Sequence, residues 1–101
     1  MRLDIRGRHL RLTLALQQHV TRRLRFALGR FDGSLRRVVV RVSDVNGPRG
    51  GVDKVCRVHL EVAGRPITID ERDQDLYAAI DRAAERAGRA TERTLSRLRA
   101  A

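Results

Sequence analysis

Between residues 37 and 62 apolar and polar side chains alternate with period two on both sides of one glycine-rich stretch, and this pattern limits the possible folds more than any other feature of the chain. Val38, Val40 and Val42 face one way against Arg37, Arg41 and Ser43, while Cys56, Val58, Leu60 and Val62 oppose Arg57, His59 and Glu61. Successive side chains of a strand point to opposite faces. The spacing therefore predicts two half-buried strands joined by a hairpin through Asn46-Gly47-Pro48-Arg49-Gly50-Gly51. Leu3 and Ile5, alternating with Arg2, Asp4 and Arg6, predict a first strand. Ile67 and Ile69, after a Gly64-Arg65-Pro66 turn, predict a fourth.

Two helical segments complete the chain. Thr13 is placed to cap a helix whose apolar residues Leu16, Val20, Leu24, Ala27 and Phe31 recur at spacings of 4, 4, 3 and 4, with Asp32-Gly33 as its stop. Asp73 is placed to cap a second, with Leu76, Ile80, Ala84, Ala87, Thr94 and Leu98 along its buried side. The order β-α-β-β-β-α reads as an α+β domain, a four-stranded sheet with both helices on its one apolar face. A length of 101 residues suits one domain and one core. Apolar runs are only a few residues long, too short to span a bilayer, so no membrane partner is expected. The single Cys56 rules out an internal disulfide framework and suits a reducing, cytoplasmic compartment.

Charge narrows the function. Lys and Arg number 22 against 12 Asp and Glu, a formal charge of +10, and the surplus calls for an anionic partner or a very polar surface. Residues 1–49 dominate the field, with twelve Arg against Asp4, Asp32 and Asp44. Lys54 is the only lysine, a bias that fits either a GC-rich coding preference or a demand for bidentate phosphate forks. On the second helix Arg82, Arg86, Arg89, Arg93 and Arg97 fall within a sector about 80° wide, roughly 130° from the apolar stripe. Asp81, Glu85 and Glu92 flank the row, and Glu85 stands four residues before Arg89. On the first helix His19, Arg23 and Arg30 share a face beside the apolar stripe. An ordinary solvated face is one reading of these residues. Like charges at such spacings repel one another, which favours the other reading, an RNA backbone laid against them.

The same residues carry a family resemblance. The chain resembles the ribosome hibernation promoting factor family, which includes the ribosome-associated inhibitor protein, over nearly its whole length. The most specific segment is Asp73-Gln74-Asp75-Leu76-Tyr77-Ala78-Ala79-Ile80-Asp81, similar to the acidic-aromatic start of the family's last helix. Ile5 to Leu12, Thr13-Leu14-Ala15-Leu16 and Phe31-Asp32 are weaker matches. The resemblance implies the same β-α-β-β-β-α fold, similar to a double-stranded-RNA-binding domain. It further implies binding to the small ribosomal subunit and its 16S-type rRNA, in the channel used by tRNA and mRNA, which silences ribosomes in non-growing cells under stress or in stationary phase. Basic family positions coincide with Arg23, Arg86, Arg89 and Arg93, to which Arg30, Arg82 and Arg97 are added as RNA-binding candidates. The glycine-rich loop is longer than the family's usual hairpin, and Leu14 stands where a helix-starting proline is common. Residues 1–101 are expected to form a single ribosome-binding domain, monomeric off the ribosome, without the C-terminal dimerisation domain of long members.

Other candidates carry bland readings. Cys56 and His59 point to opposite faces of a strand, so Cys56 is expected in the core and not as a nucleophile. Asp70, Glu71, Asp73 and Asp75 are expected to serve a helix start through its free N–H groups and dipole, and His9, His19 and His59 lie on separate elements; neither a metal nor another cofactor is expected. The loop lacks the ending of a P-loop, which makes a hairpin turn the better reading, with Arg49 at its tip within reach of RNA. Tyr77, Phe26 and Phe31 are the only aromatics, and with at least Phe31 expected inside, base stacking is not the main binding mode. A non-catalytic ribosome-binding role with no small-molecule substrate is the resulting expectation. A general duplex-RNA module and a small enzyme with a deep polar pocket are the alternatives.

Overall fold

The alternating residues pair as their spacing requires. The computed structural model describes residues 1–45 and 52–100, with β1 (Arg2–Arg8), α1 (Leu14–Leu28), β2 (Arg37–Asp44), β3 (Lys54–Val62), β4 (Arg65–Asp73) and α2 (Leu76–Ala100). The expectations for the Asn46–Gly51 loop, Arg49 included, lie outside the described residues. The strands form one sheet in the order β1-β2-β3-β4, with β1 parallel to β2 and the other pairs antiparallel. A parallel pair needs a long crossover, which α1 supplies. Val38, Val40, Val42, Cys56, Val58, Leu60 and Val62 are buried under the helices, in one cluster with Leu16, Val20, Leu24 and Leu28 of α1. The opposite face of the sheet carries no helix and presents Arg6, Arg41 and Arg57 in register across three strands.

Local chemistry sets the element ends. The Thr13 hydroxyl accepts from the Leu16 N–H at 3.2 Å, the expected cap of α1. The α-helix stops earlier than expected, at Leu28, and a 3-10 turn over Gly29–Ser34 carries Phe31 and Asp32-Gly33. The stripe therefore ends on Leu28, while Ala27 and Phe31 are partly buried beside it. The turn between β3 and β4 is tighter than Gly64-Arg65-Pro66: Val62 pairs with Arg65, and only Ala63 (φ 51°) and Gly64 (φ 78°) lie between. Two successive left-handed residues suit a two-residue hairpin.

The cap of α2 also shifts. Asp75 stands directly before Leu76 and its carboxylate accepts from the Tyr77 N–H at 3.0 Å, while Asp73, the last residue of β4, accepts from the Asp75 N–H at 2.8 Å. The buried side of α2 is narrower in side-chain size than expected. It runs Ala79, Ile80, Ala83, Ala84, Ala87, Gly88 and Thr91, whereas Leu76, Thr94 and Leu98 are only half-buried. Small residues bring the helices together: a Cβ at Gly88 would lie 2.9 Å from the Ala27 carbonyl oxygen of α1. The Thr91 hydroxyl, fully buried, donates to the Ala87 carbonyl at 2.8 Å and so satisfies itself. After Thr91 no described residue is fully buried, and Leu95 is the half-buried residue through which the last turns of α2 still touch the core.

Candidate nucleic-acid interface

The arginines of α2 divide by what holds them. Arg82 donates to the carboxylates of Glu71 and Asp73, each at 2.9 Å, and to the Arg72 carbonyl at 2.8 Å. Arg86 donates to Glu71 and to the Asp70 carbonyl. Both therefore lean back on β4, and only partly face solvent as a free row would. Arg89 pairs with Glu85 at 3.3 Å on the exposed face, the expected pair four residues apart. Arg93 and Arg97 are exposed and make no ion pair among the described residues. Arg86, Arg89 and Arg93 line a cleft with Ile69 of β4, so the row runs along the side of α2 that overhangs the sheet edge.

His19 and Arg23 of α1 engage an acid of α2, and so does Arg30, which lies on the 3-10 turn and not on the first helix as expected and stays largely exposed. Asp81 accepts from His19 Nε2 at 2.7 Å and lies 3.2 Å from Arg23 Nε, and Glu92 accepts from Arg30 at 2.9 Å. Tyr77 meets the His19 ring edge-on at 4.7 Å. Asp81 thus bridges the helices and Glu92 ties α2 to the 3-10 turn, where the sequence placed them only beside the arginine row. Between the helices runs a groove of about 420 Å³, lined by Arg23, Phe26, Arg30 and Arg89 over a floor of Ala27, Ala84 and Gly88. Arg89 borders both this groove and the cleft at β4, joining the α1 set to the α2 set. Phe26 is 84% exposed here, an aromatic at the groove that the sequence reading assigned no role, although its offset from the Leu16–Val20–Leu24 stripe places it outside the core. Phe31 is only partly buried, with the Arg30 guanidinium 4.5 Å from its ring centre.

Of the carboxylates expected at the second helix start, only Asp73 and Asp75 serve it. Asp70 pairs with Arg57 at 2.8 Å on the other face of the sheet, and Glu71 takes Arg82 and Arg86. Several acids titrate below their ordinary values. Arg82 and then Arg86 hold Glu71 down, the Asp75 N–H and then Arg82 hold Asp73 down, and Arg37 and Arg6 bring Asp4 to about 2. A carboxyl depressed by folding adds stability above its unfolded pKa and loses it as pH falls through the folded one. Denaturant unfolding should therefore show stability falling from about pH 3.8 towards 2, the window over which Asp4 takes up its proton. Glu71→Gln should flatten part of that fall, and an unchanged profile would show that its arginine pairs add nothing to stability.

Cys56 is fully buried on the core side, its thiol pushed up to about 12 by burial and then by the charges of Asp70 and Glu71. His59, on the opposite face, bonds the Thr68 hydroxyl at 2.9 Å. The two do not meet, as their spacing predicts, and a thiol so raised is a poor nucleophile. Lys54 is held between Asp53 at 2.9 Å and Asp44 at 3.4 Å, so the one lysine takes no part in the arginine surface. No helix among the described residues is long and apolar enough to cross a membrane.

Comparison with known proteins bears on this surface. The family model described as sigma 54 modulation protein / S30EA ribosomal protein matches residues 3–99. The N-terminal domain of Thermus thermophilus Protein Y superposes with a TM-score of 0.75 at 28% identity, over 93% of this chain and 99% of that one. A ribosomal subunit interface protein from Coxiella burnetii superposes with a TM-score of 0.78 at 12% identity, over 95% and 99% of the two chains, a likeness of fold. Curated protein sequences provide no match.

Proposed function

The chain belongs to the sigma 54 modulation protein / S30EA ribosomal protein family, and from that premise we propose that it is a hibernation factor that binds the small ribosomal subunit through its two helices. The arginine surface lies against 16S-type rRNA in the channel used by tRNA and mRNA, and the domain of residues 1–101 blocks that channel by occupying it, with no catalytic step. It acts in the cytoplasm, where idle ribosomes are, during stress or stationary phase. The observation that carries this reading is the pair Arg93 and Arg97, exposed on the last turns of α2, on the side away from the half-buried Leu95, and without an ion pair among the described residues. Two guanidinium groups left without a carboxylate, in line with Arg89, are available to phosphates at little cost in broken pairs.

A competition separates this role from generic RNA affinity. Labelled protein bound to purified small subunits should be displaced by saturating initiator tRNA and message, and poorly by duplex RNA at equal phosphate concentration and matched salt. The reason is geometric. Two packed helices present a fixed surface, of which a folded rRNA cavity contacts more at once than a straight duplex does. Equal displacement by duplex RNA would replace the ribosome-specific reading with a general RNA-binding one.

A further inference from the structure

The face of the sheet that no helix covers has a charge pattern that folding alone does not explain. Arg6 of β1, Arg41 of β2 and Arg57 of β3 are register partners in one cross-strand row, all exposed. Neighbouring strands are about 4.8 Å apart, so three guanidinium-bearing residues stand within about 10 Å of one another. Like charges directly opposite on a sheet destabilise it. The outer two are offset by carboxylates, Arg6 by Asp4 at 2.9 Å and Arg57 by Asp70 at 2.8 Å, while Arg41 in the middle has no ion pair among the described residues. The next row adds Arg8 and Arg72 at its two ends, with the uncharged Ser43 and Val55 between them. On the same face a recess of about 590 Å³ opens between Arg36, Arg37, Val39 and His59, with the exposed Glu61 at its wall.

We infer that this open sheet face is a second RNA-binding surface, on which a separate stretch of phosphate backbone crosses the Arg6–Arg41–Arg57 row, so that the domain is gripped between two RNA segments. The helix surface and this one lie on opposite sides of the sheet and cannot meet the same local stretch of backbone. The face is nearly devoid of exposed aromatics, which suits backbone contact and not base stacking. Arg41 supplies the unopposed charge, and a phosphate there relieves the repulsion it suffers from both neighbours. The inference rests on the preceding reading only for the identity of the RNA.

The test compares three proteins on purified small ribosomal subunits across a salt series: the natural chain, Arg6→Gln/Arg41→Gln/Arg57→Gln, and the helix variant Arg89→Glu/Arg93→Glu/Arg97→Glu. The sheet variant should bind about tenfold more weakly or worse, with its salt slope reduced by about two, as expected for three lost phosphate contacts. Its thermal melt should stay within a few degrees of the natural chain, because the two pairs it loses, Arg6–Asp4 and Arg57–Asp70, are exposed and worth about 0–1 kcal/mol each; Arg41→Gln alone, which strips no carboxylate of its partner, should lower affinity by about threefold in any case. Affinity within twofold of the natural chain for both sheet variants overturns the inference. So does a loss of affinity with an unchanged salt slope, which would make the face a protein-docking surface. If the helix variant loses binding and the sheet variants do not, the hibernation reading stands and this inference falls; the reverse result leaves the second surface standing and removes the helix site.

Discussion

Reversing Arg89, Arg93 and Arg97 together to Glu is expected to lower affinity for small ribosomal subunits by about a hundredfold or more, since each reversal removes one phosphate contact and adds a repulsion. The choice of residues follows from the ion pairs. Arg93 and Arg97 have none among the described residues, and the exposed Arg89–Glu85 pair is worth about 0–1 kcal/mol. The fold should therefore melt within a few degrees of the natural chain. Arg86 is unsuitable, because a carboxylate at that position would meet Glu71 on β4 and confound lost binding with lost stability. Co-sedimentation with subunits at two salt concentrations, beside a thermal melt, reads both effects. Unchanged co-sedimentation of a folded variant would remove the assignment of α2 as the binding element.

The largest effect on stability is expected at Gly88. Its absent side chain lets α1 and α2 approach, and a Cβ there would stand 2.9 Å from the backbone oxygen of Ala27, which cannot swing aside as a side chain can. Gly88→Val should cost about 2–3 kcal/mol by overpacking. For a domain of this size that lowers the melting temperature by about 10–20 °C. Gly88→Ala should cost less, because the gain in helix propensity of about 1 kcal/mol offsets part of the clash. Forcing the helices apart also widens the groove between Arg23, Arg30 and Arg89, so Gly88→Val should bind ribosomes more weakly even well below its melting temperature. A melting temperature equal to that of the natural chain would show that the helices are not in close contact at this point.

How much of this was legible in the chain depends on the range of the interaction. The strands were, because a half-buried strand writes its burial every second residue, as Val38 to Val42 and Cys56 to Val62 do. The Thr13 cap was too, since the N–H it accepts from, that of Leu16, lies three residues away. The buried side of α2 was legible in part: Ile80, Ala84 and Ala87 are buried as their spacing requires. Ranking by hydrophobicity favours Leu76 and Leu98, while the buried side also takes Ala79, Ala83, Gly88 and Thr91, and at Gly88 smallness is what the close approach to Ala27 requires. A glycine inside a helix reads locally as a weakness. The arginine row was visible as a row, yet its division was not, because Arg82 and Arg86 find Glu71 across a strand-to-helix turn. The same holds for Asp81, whose partner His19 lies 62 residues away.

The order of the strands has one more consequence, which concerns crowding. β1 and β4 are the outer strands, the borders along which another sheet edge can add, and on β4 the Arg72 and Asp70 carbonyls are already taken by Arg82 and Arg86. Pro66 removes one donor from β4, a substitution tolerated on an outer strand and not on an inner one. Along β1 the defence is electrostatic. Two copies aligned edge to edge would set Arg2, Arg6 and Arg8 of one against the same residues of the other, with Asp4 already engaged by Arg6 and Arg37. When ribosomes are scarce and the domain accumulates unbound, its own cations oppose the growth of one sheet into the next, and the aggregation that an unguarded border would seed is held back.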